Sequence, residues 1–236
     1  MYLFLLFLIF CLLVFLFTLY RLTHDDYIFL RKDISLHQIF NAAFLDIFAG
    51  LIFSRFFYVV FNPDVKFLNP LVFILFPYFP GLSITGGIIG GAGFLFVYFR
   101  NKKIPAFRLF DFFSLSFLSS VTFGLLTLKV IDITTRRFNN PFNFATSFLY
   151  LLSFIFLIKI ILPVQRRGGF KDGSLGLSTL IAFSLTSFII DIFSNTQKIY
   201  FFLGKEDFVL LGMILVSLYF LNKQEKLIQR IKGIKK

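Results

Sequence analysis

Apolar runs of membrane-spanning length, repeated along the chain, constrain its fold more than any other feature. About 20 apolar residues cross a bilayer as a helix. In hydrocarbon, backbone N–H and C=O groups must pair within the segment, which a helix achieves. The pattern therefore predicts an all-α integral membrane protein with about seven transmembrane helices. The predicted segments are 1–20, 38–61, 82–99, 109–131, 142–162, 174–194 and 207–222.

The composition and the proline pattern refine this prediction. Hydrophobic residues make up 58% of the chain and charged residues 15%, whereas soluble domains carry about 25% charged residues. The apolar stretch at 67–79 is short and sits among Pro70, Pro77 and Pro80, so we expect it to lie in the interface or to re-enter the membrane. We predict a single transmembrane domain over 1–222 and a basic cytoplasmic tail over 223–236.

The distribution of basic residues predicts the orientation. If the N-terminus lies outside, most of the 24 Lys and Arg residues fall in the segments that are then cytoplasmic. This asymmetry predicts an outside N-terminus and a cytoplasmic C-terminus. The formal charge of +12 is explained by these flanking residues, which also meet anionic lipid headgroups. Nucleic acid is therefore not a predicted partner, because no basic soluble module is present.

A single cysteine, Cys11, limits the possible chemistry. It excludes a disulfide within the chain and zinc sites built from cysteine pairs. Large residues precede Cys11 where a cleavage site needs small ones, so the first run is predicted to be an uncleaved membrane helix. No Walker loop, zinc-ligand spacing or nucleophile elbow is present, and no cofactor or metal is implied.

Charged residues within the apolar runs need a reason, because each costs roughly 2.5–3.5 kcal/mol at the centre of a membrane helix. Arg55, with Tyr58 three residues on, either snorkels outward or faces a polar cavity that holds a lipid phosphate. Asp191 is a candidate partner for Arg55 or for another cation. Asp111 and Lys129 lie near helix ends, which favours side chains that reach the interface.

A glycine-rich segment at 81–91 has two interpretations. Its glycines form small-xxx-small pairs, which let two membrane helices approach closely. Alternatively, the segment is a helix N-terminus that faces an anionic headgroup, with Ser83 and Thr85 as capping residues. The pairs are Gly86 with Gly90 and Gly87 with Gly91.

Several of these segments together resemble one protein family. The stretches that carry the resemblance are Gly50 to Val59, Asn62-Pro63, Asn69-Pro70, Gly81 to Gly91, Ile104-Pro105, Arg108-Leu109 and Asp111. In this order they resemble the prolipoprotein diacylglyceryl transferases. The resemblance implies seven transmembrane helices with the N-terminus outside, in the bacterial inner (plasma) membrane. It also implies transfer of diacylglyceryl from phosphatidylglycerol to the lipobox cysteine thiol of a preprolipoprotein, so the nucleophile comes from the substrate.

The chain departs from the family pattern where the family carries charge. Thr85 stands in place of the family's histidine. Leu125 and Leu128 replace an arginine and an asparagine, Ser187 replaces a late arginine, and Asp191 falls on a late glutamate. No catalytic residue is therefore assigned, although Lys129, Arg136 and Arg137 are nearby cations that can substitute. The predicted substrate-binding residues are Arg55, Tyr58, Ser83, Thr85, Gly86, Gly87 and Asp191.

Three functions stay open at this point. The first is an active transferase that uses phosphatidylglycerol or another anionic phospholipid, together with preprolipoprotein lipobox segments. The second is a catalytically silent relative that binds phospholipid, lipoprotein or a membrane partner. The third is a small membrane transporter, which inverted repeats and paired broken helices would favour.

Overall fold

The computed structural model consists of helices and short connections. It describes residues 2–24, 26–31, 34–64, 67, 81–102, 105–134, 142–194 and 205–225, and no strand occurs among them. The helices are α1 Tyr2–His24, α2 Tyr27–Arg31, α3 Leu36–Phe61, α4 Ile84–Lys102, α5 Ala106–Thr134, α6 Phe142–Phe156, α7 Leu162–Arg166, α8 Ser174–Ser194 and α9 Lys205–Glu225. The prediction of an all-α membrane protein is confirmed.

Five stretches of the described chain are long and apolar enough to cross a membrane. They are Leu6–His24, Leu36–Phe61, Ala106–Thr127, Thr146–Arg166 and Ser174–Ile192, and Ile84–Arg100 is a shorter apolar helix. Seven spans and an outside N-terminus therefore stay predictions. The stretch predicted to re-enter, apart from Phe67, and the tail beyond Glu225 lie outside the described residues.

A π-helical segment, Leu157–Ile161, joins α6 to α7. Pro163 lies two residues after this segment and has no backbone N–H, so the carbonyl of Lys159 cannot accept the usual helical hydrogen bond. The backbone N–H of Leu162 instead donates to the carbonyl of Leu157, which is the wider π pattern. The proline thus explains the change of helix type, and the chain continues as one apolar span.

The chain divides into two compact units, and the single domain predicted over 1–222 stays a prediction. The first unit comprises Thr23–Ala106, and the second comprises Tyr2–Leu22 with the chain from Phe107 onward.

In the first unit, α3 and α4 pack closely as a hairpin. A Cβ added at Gly86 would lie 2.4 Å from the Cβ of Phe57, and one at Gly90 would lie 2.2 Å from the Cβ of Phe53. The predicted close approach at the glycine pairs is therefore confirmed, because the two phenylalanines occupy the space of the missing side chains.

In the second unit, α1 packs against α5 through small and polar side chains. The Ser119 hydroxyl lies 2.9 Å from Thr18 Oγ1, and the Ser120 hydroxyl donates to the carbonyl of Cys11 at 2.7 Å. A Cβ added at Gly124 would lie 2.7 Å from Cys11 Sγ. Small residues thus allow the two backbones to approach, as is usual between membrane helices.

Candidate anion site at the α3–α4 turn

Arg55 lies on the last turns of α3 and is almost fully buried, with 3% of its surface exposed. Its Nη1 donates to the carbonyl oxygen of Gly81 at 2.7 Å. The guanidinium carbon lies 5.1 Å from the ring centre of Phe67 and 5.7 Å from that of Tyr58. A backbone carbonyl and two aromatic faces thus hold the cation at the start of α4.

Gly81 makes this turn possible. Its φ is +146°, a region that side-chain-bearing residues rarely adopt. A Cβ at this position would lie 2.2 Å from the ring of Tyr58. The turn therefore needs glycine both for its backbone angle and for the close approach of Tyr58, which the predicted site includes.

Two serines, Ser54 on α3 and Ser83 in the turn, join the turn to α3 by hydrogen bonds. The Ser54 hydroxyl donates to the carbonyl of Ser83 at 2.8 Å, and the backbone N–H of Ser83 donates to the carbonyl of Ser54 at 3.1 Å. Both serines are buried. This reciprocal pair fixes the residue that precedes α4 relative to the helix that carries Arg55.

Ser83 also caps α4. Its hydroxyl oxygen accepts the backbone N–H of Gly86 at 3.3 Å and lies 2.8 Å from Thr85 Oγ1, which is N-cap geometry. The N–H groups of Ile84 and Thr85 make no hydrogen bond to any described residue. The N-terminus of α4 therefore presents two unpaired donors beside a guanidinium, an arrangement that attracts an anion.

The other predicted binding residues lie elsewhere. Gly87 belongs to the helix contact, because a Cβ there would lie 3.5 Å from the carbonyl oxygen of Gly50. Asp191 lies near the end of α8, in the second unit, and is half-buried. The side chain of Lys129 and the whole of Arg136 and Arg137 lie outside the described residues.

Ser187, which the sequence comparison predicts to replace a family arginine, belongs to a hydroxyl cluster. Its Oγ lies 2.6 Å from the hydroxyl of Tyr150 on α6 and also donates to the carbonyl of Phe183 at 2.8 Å. Since the Ser187 proton is used by that carbonyl, Tyr150 donates to Ser187. The position therefore joins α6 to α8, and no positive charge remains there.

Asp111 has a role that the sequence did not predict. The expectation that it reaches the interface is wrong, because none of its surface is exposed. Its carboxylate accepts the backbone N–H groups of Gly173 at 2.7 Å and Gly176 at 2.6 Å, and also the amide of Gln165. Asp111 thus ties the start of α8 and the end of α7 to α5.

Glu225 completes this second constellation from the end of α9. Its Oε1 accepts the backbone N–H of Lys171 and the hydroxyl of Ser174, both at 2.6 Å. An ion pair between Arg108 and Asp172, 2.7 Å apart, lies in the same region. The partners are 51 to 65 residues apart in the chain, so the sequence does not show that they meet. The short Asp-Gly-Ser segment at 172–174 is the one local pattern that indicates a turn and helix cap here.

These features define an α-helical membrane protein with several candidate spans and a candidate anion site at one helical turn. The family model of prolipoprotein diacylglyceryl transferase matches residues 1–222, so the chain belongs to that family, whose members are transferases of lipoprotein biosynthesis. A curated phosphatidylglycerol–prolipoprotein diacylglyceryl transferase of Fusobacterium nucleatum is 35% identical over 82 residues, 35% of this chain. The matched segment spans 28% of that relative's length.

Proposed function

We propose that this chain is a phosphatidylglycerol–prolipoprotein diacylglyceryl transferase of the bacterial inner membrane. Its substrates would be phosphatidylglycerol, or another anionic phospholipid, and the lipobox segment of a preprolipoprotein. The proposed topology has seven spans, an outside N-terminus and a cytoplasmic C-terminus. Membership of the family over residues 1–222 supports this reaction above the two alternatives.

One observation carries the proposal in the structure. The buried guanidinium of Arg55 lies at the start of α4, together with the N–H groups of Ile84 and Thr85, which bond to no residue that the structure describes. A phosphodiester suits such a place, because its oxygens accept from both guanidinium and helix N-terminal donors. Tyr58, Ser83 and Gly86 belong to the site as its supports.

The reaction adds one negative charge to the phosphate group, and the site would stabilise this added charge. The lipobox thiol gives its proton to water, and the thiolate sulfur attacks the diacylglyceryl carbon that bears the phosphate ester. A C–S bond forms, the C–O bond to phosphate breaks, and glycerol phosphate leaves with one more negative charge. Arg55 and the α4 N-terminus would stabilise that charge more strongly in the transition state than in the bound lipid.

The replaced family residues shape the expected activity. Thr85 donates or accepts a hydrogen bond but does not take a proton at neutral pH, and Leu125 and Ser187 carry no charge. Losing one charge-stabilising group commonly costs a factor of about 10²–10³ in rate. We therefore expect a slow transferase whose phosphate contact depends on Arg55.

A transfer assay with an arginine panel tests the proposal. The purified protein is placed in phosphatidylglycerol bilayers with a lipobox peptide, and the diacylglyceryl mass increment on the peptide is measured over time. We expect wild type to give the product, and Arg55→Gln to lower the rate by about 10²-fold or more. Arg55→Lys should recover only part of the rate, because an ammonium does not offer a two-pronged donor.

Arg100→Gln is the matched control. Arg100 lies on the same helical hairpin and is exposed, and its side chain makes no hydrogen bond or ion pair with any described residue. Its loss changes the net charge as Arg55→Gln does, and we expect an unchanged rate. Equal rates for Arg55→Gln and Arg100→Gln would refute the site. A folded wild type that yields no product would refute the transferase reaction itself.

A further inference from the structure

Four exposed cations lie in the second unit, where the end of α7, the loop from α7 to α8 and the end of α9 meet. They are Arg166, Arg167, Lys171 and Lys223, which we call the basic platform. None of their side chains makes an ion pair or a hydrogen bond with any described residue. The acid in the intervening loop, Asp172, is half-buried and already paired with Arg108 at 2.7 Å.

Contacts inside the unit bring the platform together. The backbone N–H of Lys171 donates to Glu225 Oε1 at 2.6 Å, which places Lys171 beside the helical turn that carries Lys223. The Gln224 amide also donates to the carbonyl of Asp172. The Gln165 amide lies 3.5 Å from the carbonyl of Lys171, which places the end of α7, with its two arginines, next to the same loop.

The loop between α7 and α8, which carries Arg167 and Lys171, has a backbone that is held by hydrogen bonds. The N–H groups of Arg167, Gly168 and Gly169 donate to carbonyls of the α7 end at 2.9 to 3.1 Å. Farther along the loop, Gly173 is held by the buried carboxylate of Asp111 at 2.7 Å. A bound anion would therefore not have to order the backbone, which lowers the entropic cost of binding.

The platform adjoins side chains that face hydrocarbon. Ile160 and Val164 are 50% and 38% exposed within two turns before Arg167, and Phe220 is 50% exposed one turn before Lys223. Apolar side chains this exposed suit lipid tails, and the cations lie where those helices end. At that boundary, the anions at high local concentration are phospholipid phosphates.

We propose that the basic platform binds the headgroups of anionic phospholipids in the leaflet at this end of the second unit. The four cations at the ends of α7 and α9 and on the loop between α7 and α8 attract the phosphate, and the adjoining apolar side chains contact the acyl chains. The lipid held here is a bound partner and not the diacylglyceryl donor.

Lipid retention with a charge-matched control tests the proposal. One variant carries Gln at the four platform positions, and the control carries Gln at four exposed cations that lie apart in the chain, Arg21, Arg31, Arg100 and Lys159. Each protein in neutral detergent is titrated with phosphatidylglycerol or phosphatidylcholine, and bound lipids are counted by native mass spectrometry. Each cation near an anionic surface contributes about fivefold to affinity.

We expect the platform variant to lose about 10²–10³-fold in affinity for its tightest phosphatidylglycerol, and the control to lose less than about threefold. Phosphatidylcholine should bind both equally. Equal losses in the two variants would overturn the proposal, as would displacement of the lipid by inorganic phosphate at equal concentration. The double variants Lys171→Gln/Lys223→Gln and Arg21→Gln/Lys159→Gln should rank the same way, and they guard against unfolding.

Discussion

Replacing Asp111 by alanine should strongly destabilise the second unit. The carboxylate is fully buried and accepts three hydrogen bonds, two of them from the backbone at Gly173 and Gly176. Asp111→Ala leaves both backbone donors buried without an acceptor. The third donor, Gln165, lies 3.5 Å from the carbonyl of Lys171 and can turn toward it.

The magnitude follows from counting the donors that lose their partner. Each buried donor left unpaired costs about 1–3 kcal/mol. Two such donors give a predicted loss of about 2–6 kcal/mol in the free energy of unfolding. An opposing effect exists, because removing a buried carboxylate relieves its desolvation, and such replacements are sometimes neutral. Three short hydrogen bonds on one carboxylate argue that the lost pairing outweighs this relief.

Denaturant titration of the folded fraction in mixed micelles gives this free energy, and hydrogen exchange locates it. Asp111→Ala should lower the unfolding midpoint and speed exchange at the amides of Gly173 and Gly176. The control is Asp172→Asn in the same loop, where a side chain that is 39% exposed makes an ion pair worth about 0–1 kcal/mol. If Asp111→Ala were no more destabilising than Asp172→Asn, the hydrogen bonds to the Asp111 carboxylate would not stabilise the fold.

Three further changes have defined outcomes. Gly90→Ala should cost about 1–3 kcal/mol in the same titration, because its Cβ would overlap a phenylalanine of α3, whereas Gly93→Ala, which faces open space, should cost nothing. Tyr150→Phe should lower the free energy of unfolding by about 0.6 kcal/mol, which is typical of a hydrogen bond between membrane helices. Ser187→Ala removes the same hydrogen bond, so a larger loss for Tyr150→Phe than for Ser187→Ala would contradict the pairing of the two hydroxyls. Thr85→His should raise the transfer rate near neutral pH by supplying a proton acceptor, while Thr85→Gln should not.

The helices could be predicted from the sequence, because a membrane requires each segment to form its hydrogen bonds internally. A backbone in hydrocarbon must satisfy its own hydrogen bonds, so long apolar runs are helices wherever the structure describes them. The glycine pairs in 81–91 predicted close packing, and Phe53 and Phe57 fill the space beside Gly86 and Gly90. Ser83 was predicted as a cap, and its hydroxyl accepts the N–H of Gly86.

Distant pairings were not predictable, because they depend on how helices far apart in the chain meet. The carboxylate of Asp111 binds groups more than 50 residues away, and its position near a helix end gave no sign of complete burial. Glu225 looked like part of a basic tail, yet it is 2% exposed and bonded to Ser174. The hydrogen bond between Tyr150 and Ser187 likewise joins two helices whose partnership only the folded chain defines.

The most direct test of the proposed reaction follows the diacylglyceryl group itself. Wild-type protein is placed in bilayers whose phosphatidylglycerol carries isotope-labelled acyl chains, with a lipobox peptide and a matched peptide in which serine replaces the cysteine. The proposed reaction predicts labelled diacylglyceryl on the cysteine peptide alone, together with released glycerol phosphate. No label on the cysteine peptide from a folded protein would contradict the transferase function.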